Sequence, residues 1–290
     1  MKERTKILVT GAKGQLGSEI KVLSGGYAKF DITFIDIDDL DLTDKHAVSE
    51  FFEERTFDYV INCAAYTAVD KAESDKEAAF TVNAYVPELL GEITGRAGTR
   101  VIHISTDYVF DGKSNRPYET DHVTNPVSVY GTSKLKGEEL LLKNNPDSII
   151  IRTAWLYSAF GNNFVKTMIR LGKEREELRV VYDQVGSPTY ARDLAKAIFD
   201  IINSISEEKN TFVTGVYHYT NEGVASWFDF AYHILKLSEI ECKTVPVLSE
   251  EFPAPAPRPA FSVLSKSKIR DIYSIEIPHW YDSLKNMLSL

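Results

Sequence analysis

The feature that most constrains the fold is an alternation of short β-branched runs with helical stretches through the first half of the chain. These short runs predict strands at residues 6–10, 33–36, 59–62, 100–105 and 148–152, and several of them are nearly continuous apolar runs, as expected for strands covered on both faces. Helical patterns lie between them, among them 15–23, 44–52 and 130–142. This order predicts an α/β fold with a Rossmann-type, doubly wound parallel sheet.

The pattern loosens after residue 152. Further strands are predicted at 178–181 and 216–219, and an amphipathic helix at 226–237. Four prolines between residues 253 and 259 predict an extended segment. We therefore predict a first domain at residues 1–152 and a smaller C-terminal lobe at 153–290, and leave open whether the two are interleaved.

The first predicted strand runs into a glycine-rich loop, Gly11-Ala12-Lys13-Gly14-Gln15-Leu16-Gly17. Glycines at this spacing permit a tight turn, close approach of a pyrophosphate to the backbone, and close packing of helix on strand. The loop follows a strand near the start of the chain and opens a helix, which favours a dinucleotide site over a plain glycine turn. The first domain is thus predicted to bind NAD(P), and the C-terminal lobe to bind substrate.

Two charged residues bear on the choice between NADPH and NADH. Asp36 ends the second predicted strand, where an acid can bind the adenosine ribose hydroxyls and repel the extra phosphate of NADP. Lys13, inside the glycine loop, would attract that phosphate. Either residue could instead be a plain surface charge, so the sequence leaves both coenzymes open.

Proton-transfer chemistry is predicted where Thr106 ends the fourth strand and Tyr130 and Lys134 follow. Four residues apart on a helix, the tyrosine and the lysine share one face. A tyrosine with the ordinary pKa of ~10 is a poor proton carrier at neutral pH, and a nearby lysine cation lowers that pKa. The Thr106 hydroxyl can orient a carbonyl group beside them.

The tyrosine–lysine spacing is not specific by itself. The pairs Tyr232/Lys236 and Tyr281/Lys285 share it. Only Tyr130 follows a strand that ends in Ser-Thr within an apparent dinucleotide fold. The catalytic interpretation is therefore confined to Tyr130 and its lysine.

Composition excludes several other functions. A net charge of −9 and a pI near 5.3 disfavour nucleic-acid and anionic-membrane partners. No apolar run approaches the ~20 residues of a membrane span, and the run at residues 7–9 is too short for the core of a signal peptide. Two cysteines are too few for a disulfide framework, which favours a reducing cytoplasm.

No metal site is predicted from the residues themselves. His103, His122 and His218 form no ligand spacing with cysteines or carboxylates, and we interpret them as structural. The chain also lacks a nucleophile elbow and a phosphate loop that ends in Gly-Lys-Ser/Thr, so hydrolase and nucleoside-triphosphatase functions have no support.

At this point the chain resembles the dTDP-4-dehydrorhamnose reductases, a family of extended short-chain dehydrogenases/reductases. The resemblance runs nearly the whole length and is carried by GQLG at 14–17, NCAAYTAVD at 62–70, STDYVFDG at 105–112, YGTSKLKGE at 130–138, RTAW at 152–155, NFVK at 163–166, DQVGSPTY at 183–190 and PRP at 257–259. One family pattern has serine where this chain has Ala154. That departure is small and leaves the assignment intact.

The resemblance implies NADPH- or NADH-dependent reduction of the C4 keto group of a dTDP-linked 4-keto-6-deoxy sugar. Tyr130 would be the general acid, Lys134 its partner at the nicotinamide ribose, and Thr106 the third member. The implied cofactor contacts are Gly11, Gly14, Gln15 and Leu16 at the pyrophosphate, Asp36 at the adenosine ribose, Asp41 and Leu42 near the adenine, and Ala64, Ala65, Tyr66, Thr67 and Ser105 along the cleft. Thr106, Asp107 and Trp155 would contact the sugar nucleotide, and Arg258 its diphosphate. A homodimer and a bound Mg²⁺ are suggested by family resemblance only.

Two alternatives stay open. An epimerase or dehydratase could use the same scaffold, but a dehydratase of this kind typically has Asp-Glu after the strand-end threonine. Here Thr106 is followed by Asp107 and Tyr108, so the acid–base pair for elimination is incomplete. The non-catalytic regulatory subunit of methionine adenosyltransferase also resembles this family. A pure binding role is disfavoured because the chain retains Tyr130, Lys134, Thr106 and the glycine loop.

Overall fold

A parallel sheet of six strands forms the centre of the fold. The structure is a computed structural model that describes residues 4–290, so the first three residues of the predicted first domain lie outside it. The strands are β1 (Thr5–Thr10), β2 (Phe30–Ile35), β3 (Tyr59–Asn62), β4 (Arg100–Thr106), β5 (Ser148–Thr153), β6 (Leu156–Tyr157), β7 (Glu177–Val181), β8 (Val185–Gly186), β9 (Thr189–Tyr190), β10 (Gly215–His218), β11 (Ala225–Ser226) and β12 (Lys243–Val247). The central sheet has the order β10-β5-β4-β3-β1-β2, and every neighbouring pair in it is parallel. The predicted doubly wound parallel sheet is confirmed.

Helices cover both faces of this sheet and build the rest of the molecule. They are α1 (Gln15–Ser24), α2 (Lys45–Glu53), α3 (Val69–Ala72), α4 (Lys76–Phe80), α5 (Val86–Ala97), α6 (Val129–Asn144), α7 (Phe164–Glu174), α8 (Ala191–Ser206), α9 (Trp227–Leu237), α10 (Ser267–Tyr273) and α11 (Trp280–Leu288). A π-helical turn at Thr81–Tyr85 joins α4 to α5, and 3-10 turns lie at Asp107–Val109 and Ser249–Glu251. Gly98 ends α5 in the left-handed conformation, as its position in the sequence predicts. Within residues 4–290, no helix is both long and apolar enough to cross a membrane.

The strand order determines where a ligand site can lie. Because β1 lies between β2 and β3, the chain winds outward from β1 in both directions. A crevice forms at the carboxyl ends of the strands where such winding reverses. The glycine loop follows β1, and the segment of residues 62–70 begins at the end of β3, so both predicted motifs meet at this crevice.

Apolar side chains alternate between the two faces of the sheet. In β1, Ile7 and Val9 join a core layer with Ile20 of α1, whereas Leu8 joins the opposite layer with Leu141 of α6. Successive residues of a strand point to opposite faces, so a continuous apolar run supplies both layers. This is why β1 reads as an uninterrupted apolar run in the sequence.

Residues beyond 152 contribute both to the central sheet and to a second core. Strand β10 pairs with β5, and Leu194 and Ile198 of α8 pack in the same layer as α1. A separate cluster gathers Tyr157, Phe230 and Leu284 from β6, α9 and α11. The later half therefore contributes strands and helices to the central sheet and also builds a core of its own. The division into two domains at residue 152 stays a prediction.

Candidate active site

The glycine loop joins β1 to α1 in a conformation that its glycines permit. Gly11 has a φ of 63°, in the left-handed region, and a Cβ there would lie 2.8 Å from the backbone nitrogen of Ala64. A Cβ on Gly17 would overlap the carbonyl oxygen of Gly11. Helix α1 begins at Gln15, and no side chain within the described residues caps it at Gly14. Its first N–H groups are thus left for an anionic ligand such as a pyrophosphate.

Asp36 follows β2 and is tied to the glycine loop. Its carboxylate accepts hydrogen bonds from the backbone N–H of Lys13 at 2.7 Å and of Ile37 at 2.9 Å. The Lys13 ammonium pairs with Asp38, and this interaction raises the pKa of the lysine. The expected opposition between Lys13 and Asp36 is only partial, because Asp38 already offsets the charge of the lysine.

A cavity of about 810 Å³ extends from the glycine loop along the carboxyl ends of β1 to β5. Ligand pockets of roughly 300–1,000 Å³ are usual for cofactors and small substrates. The predicted site residues that line the cavity are Gly11, Gly14, Gln15, Leu16, Asp36, Asp41, Leu42, Ala64, Ala65, Tyr66, Thr67, Ser105, Thr106, Asp107, Tyr130, Lys134 and Trp155. All of the predicted site residues lie within residues 4–290, and among them only Arg258 does not line this cavity.

Tyr130 lies in the first turn of α6, where its phenol faces the end of β4. Ser128 begins the helix by accepting a hydrogen bond from the backbone N–H of Gly131 at 3.1 Å. Burial raises the pKa of Tyr130, and a hydrogen bond with Thr106 acts in the opposite direction. The phenol is therefore protonated at neutral pH, which is the form that a general acid requires.

Lys134 lies one turn further along α6 and is buried. Its Nζ donates to the carbonyl oxygen of Ile104 at 2.7 Å and lies 3.4 Å from Nε2 of His103. Burial lowers the pKa of Lys134 to about 8, and the negative charge of Glu138 opposes that shift. The lysine therefore releases its proton more readily than an ordinary lysine.

The structure does not show the expected effect of this lysine on the tyrosine. Among the described residues, the groups that act on the pKa of Tyr130 are Thr106, Asp107 and Tyr108, together with burial, and Lys134 is not one of them. The two residues share a helix face, but the ammonium is engaged with the backbone of β4. The arrangement favours a phenol that holds its proton rather than a phenolate.

Thr106 and Asp107 lie where β4 ends at the cavity. Thr106 Oγ1 donates to Asp107 Oδ1 at 3.1 Å and accepts from the backbone N–H of Tyr108 at 3.2 Å. Asp107 Oδ2 is buried and has no hydrogen-bond partner within residues 4–290. Burial raises the pKa of this carboxyl to about 7. Near neutral pH, Asp107 can therefore either donate or accept a hydrogen bond to a ligand.

Behind the cavity wall, Glu138 and Arg152 form a buried ion pair that the sequence did not identify as part of the site. Arg152 Nη2 donates to Glu138 Oε2 at 2.7 Å, and its Nε donates to Oε1 at 3.0 Å. Ser105 Oγ donates to the same carboxylate. The Glu138 carboxylate thus fixes the ends of β4 and β5 to the helix that carries Tyr130. No local pattern in the sequence predicts this pair, because Glu138 and Arg152 lie on separate elements, α6 and β5.

Trp155 lies at the cavity wall and stacks on Trp227. The two ring centroids are 3.6 Å apart and the rings are within 9° of parallel. The φ of Trp155 is 49°, an uncommon value for a residue other than glycine. A Cβ on Gly186 would lie 2.7 Å from its indole, so this neighbour must be small. Trp227, the first residue of α9, thus occupies one face of the Trp155 indole.

Arg258, in the proline-rich segment, binds protein groups at the rim of the cavity. Its Nη2 lies 2.6 Å from Asp70 Oδ2, and its Nη1 donates to the phenol of Tyr108 at 3.0 Å. The backbone N–H of Ala256 donates to the other oxygen of Asp70 at 3.2 Å. Because Tyr108 lines the cavity, Arg258 lies one side chain away from it.

A bound Mg²⁺ was suggested by family resemblance alone. Within residues 4–290, no group of three or more histidine, cysteine, aspartate or glutamate side chains is placed to hold a metal ion. A cation of this kind takes several oxygen ligands. Mg²⁺ is often held by one or two carboxylates together with waters, so its binding stays a prediction, and no step of the chemistry is assigned to it.

Comparison with known proteins finds similarity along nearly the whole chain. The family model described as "RmlD substrate binding domain" covers residues 5–290. The chain is 39% identical to dTDP-4-dehydrorhamnose reductase of Aggregatibacter actinomycetemcomitans over 97% of its own length and 98% of that protein. It is similar to the crystal structure of a dTDP-4-dehydrorhamnose reductase from Clostridium acetobutylicum, with a TM-score of 0.91, 44% identity, and 98% and 99% of the two chains covered. It is also similar to the Bacillus anthracis dTDP-4-dehydrorhamnose reductase solved in complex with NADP, with a TM-score of 0.93, 38% identity, and 99% of each chain covered.

Proposed function

The chain belongs to the family of the RmlD substrate binding domain, and we propose that it reduces the C4 keto group of dTDP-4-dehydro-6-deoxy-L-mannose to give dTDP-L-rhamnose. NADPH or NADH is the reductant, and the product serves the biosynthesis of cell-surface polysaccharide. The observation that carries the proposal is the protonated phenol of Tyr130 beside Thr106, in a cavity continuous with the glycine loop. Similarity to dTDP-4-dehydrorhamnose reductases over nearly the full length supports this choice of substrate.

The cavity has the features that a nicotinamide coenzyme needs. The uncapped start of α1 offers N–H groups to a pyrophosphate, and the missing Cβ at Gly11 lets the loop pack directly against the backbone of Ala64. Asp36 would meet the adenosine ribose, Asp41 and Leu42 the adenine, and Lys134 the nicotinamide ribose. When bound there, the coenzyme supplies the hydride for C4 of the sugar.

Tyr130 and Thr106 would handle the proton. As the carbonyl carbon gains hydride, its oxygen gains negative charge, and Tyr130 Oη gives that oxygen its proton. The Thr106 hydroxyl would orient the same oxygen through a hydrogen bond. Lys134 holds its proton weakly and lies on the same helix face, so it is suited to return a proton to Tyr130 after each turnover.

Substrate contacts are proposed for three further residues. The unpartnered Oδ2 of Asp107 is available to a sugar hydroxyl, and Trp155 offers an apolar surface to the deoxysugar. Arg258 is proposed to bind the diphosphate, because a guanidinium can form paired hydrogen bonds with phosphate oxygens. Its present bonds to Asp70 and Tyr108 hold it at the cavity rim, and binding would require it to share or exchange one of them.

The setting of the enzyme is also proposed. We infer a smaller substrate lobe formed mainly by residues 153–290, a homodimer by family resemblance, and a cytoplasmic location. Cys63 and Cys242 are both free thiols, which is consistent with a reducing compartment. The dehydratase alternative lacks its glutamate, because Tyr108 stands at that position.

Transfer of deuterium tests the proposal directly. The chain is incubated with dTDP-4-dehydro-L-rhamnose and NADPH or NADH deuterated at the transferable position, and the product is analysed by NMR and mass spectrometry. The proposal predicts stoichiometric oxidation of the coenzyme and one deuterium at C4 of dTDP-L-rhamnose. Product formation without net coenzyme oxidation would indicate an epimerase or dehydratase, and coenzyme binding without turnover would indicate a regulatory subunit.

A further inference from the structure

A row of buried polar side chains crosses the sheet behind Lys134. In the register of the sheet, Thr10 of β1 is paired with Asn62 of β3, and Asn62 with His103 of β4. Thr10 Oγ1 lies 2.7 Å from Asn62 Oδ1, and Asn62 Nδ2 lies 3.0 Å from His103 Nδ1. The row ends where His103 Nε2 lies 3.4 Å from Lys134 Nζ. Thr10, Asn62, His103 and Lys134 are each at most 1% exposed, and the proposed reaction so far gives the first three no role.

The orientation of the Asn62 amide is fixed by the backbone. The backbone N–H of Ala64 lies 3.2 Å from Asn62 Oδ1 and can only donate a hydrogen bond. The oxygen of the amide must therefore face Ala64. The Nδ2 group, which can also only donate, then faces His103.

This orientation determines which nitrogen of His103 carries the proton. Because Asn62 Nδ2 donates, His103 Nδ1 must accept. Burial and the neighbouring Lys134 hold the pKa of His103 well below its ordinary value, so the imidazole is neutral and has a single N–H. That N–H is at Nε2, the nitrogen that faces the lysine.

An N–H group directed at Nζ favours one protonation state of the lysine over the other. A neutral amine can accept a hydrogen bond from Nε2–H, whereas an ammonium has only donors to offer. We propose that His103, held by Asn62, is a positioning residue for Lys134 whose Nε2–H opposes the ammonium form and so promotes release of the lysine proton. This role rests on the proposed function, in which Lys134 returns a proton to Tyr130.

The other groups that face Lys134 do not remove this effect. Glu138, from the same helix, favours the ammonium, but its carboxylate is already bound to Arg152 of β5. Cys63 faces the lysine from the end of β3, and burial raises its pKa to about 12, so at neutral pH it is an uncharged thiol. His103, from β4, is thus the group whose fixed dipole opposes Glu138.

The protonation states can be measured without any enzyme activity. In the full chain saturated with NADPH, labelling of histidine with ¹⁵N reports which ring nitrogen carries the proton, and the signal of His103 is the one lost in His103→Gln. Labelling of lysine with ¹³C at Cε gives the titration midpoint of Lys134, identified by its loss in Lys134→Arg. We expect Nε2 of His103 to be protonated and Nδ1 to be unprotonated. A protonated Nδ1 would overturn the proposal.

Two variants test the effect on the lysine. Asn62→Asp keeps the size of the side chain but presents an acceptor to His103, which forces the proton to Nδ1 and turns the lone pair of Nε2 toward Lys134. His103→Gln removes the fixed N–H altogether. Each should raise the titration midpoint of Lys134 by about one pH unit or more, a tenfold change in its proton affinity. A midpoint that is unchanged or lower in both would overturn the proposal.

Thr10→Val is the matched control in the same row. It removes one hydroxyl, but Ala64 still fixes the Asn62 amide, so the histidine tautomer and the midpoint of Lys134 should stay at their original values. In the reduction itself, kcat should fall at alkaline pH as Lys134 loses its proton. The pH at which kcat falls should be higher in His103→Gln than in the wild type, and it should be unchanged in Thr10→Val. If the chain does not reduce the dTDP sugar at all, the proposed function fails, while the two NMR measurements still decide the role of His103.

Discussion

Replacing Glu138 with leucine should destabilise the fold by about 3–5 kcal/mol, because it leaves the guanidinium of Arg152 buried without a counter-charge. Arg152 is 4% exposed, and within residues 4–290 its Nη1 already lacks a hydrogen-bond partner. An unfolding entropy of about 2.1 cal/mol/K per residue gives roughly 0.6 kcal/mol/K for a chain of this length. The melting temperature should then fall by about 5–8 °C.

The double variant Glu138→Leu/Arg152→Leu separates the ion pair from the packing. Apolar replacement of both partners of a buried pair is often close to neutral, so the double variant should recover most of the loss seen in Glu138→Leu. Glu174→Leu is a matched control, because its ion pair with Arg170 is exposed and worth about 1 kcal/mol or less. Unfolding is followed by circular dichroism in urea and on heating. The reasoning would be refuted if the double variant were destabilised as much as Glu138→Leu or more, or if the melting temperature of Glu138→Leu fell by less than about 2 °C.

Three further outcomes concern ligands. Both NADPH and NADH should support turnover, with a preference below about 100-fold, or about 2.7 kcal/mol. Asp36→Ala should shift the preference toward NADPH. Strict use of one coenzyme by the wild type in steady-state kinetics would contradict this prediction. Arg258→Lys should raise KM for the sugar nucleotide and leave the dissociation constant of NADPH unchanged, and the reverse pattern would assign the proline-rich segment to the coenzyme. Quenching of tryptophan fluorescence by dTDP-L-rhamnose should be lost in Trp155→Phe, and quenching that persists would point to Trp227 as the reporter instead.

The sequence predicted the central sheet well because its strands are covered on both faces. Several of the strands β1 to β5 read as nearly continuous apolar runs, and the observed bounds of all five are close to the predicted ones, although β2 begins three residues early at Phe30. The two-residue strands β6, β8, β9 and β11 were missed because two residues cannot show a period. Strand β12 was also missed, since Pro246 lies inside it and proline is depleted in strands.

The site was predictable where motifs are local and was missed where contacts depend on register. The glycine loop and the pair Tyr130/Lys134 are short local patterns, and the structure brings them to one cavity. The hydrogen bond from Asn62 to His103 arises only from the pairing of β3 with β4, so no local pattern in the sequence predicts it. Arg258 likewise meets Asp70 across 188 residues of sequence, and the sequence alone placed it toward a ligand rather than toward this carboxylate.

The central claim is that Tyr130 is the proton donor of the reduction, and Tyr130→Phe tests it most directly. The substitution removes the phenolic hydroxyl and keeps the ring that packs edge-on against Tyr108. Steady-state turnover of dTDP-4-dehydro-L-rhamnose is compared with that of Tyr232→Phe, which has the same spacing to a lysine on the partly exposed helix α9. Because general acid catalysis contributes roughly 10²–10⁴-fold, we predict a loss of that size in kcat for Tyr130→Phe, with NADPH affinity retained and Tyr232→Phe near normal. Near-normal kcat in Tyr130→Phe would contradict the claim.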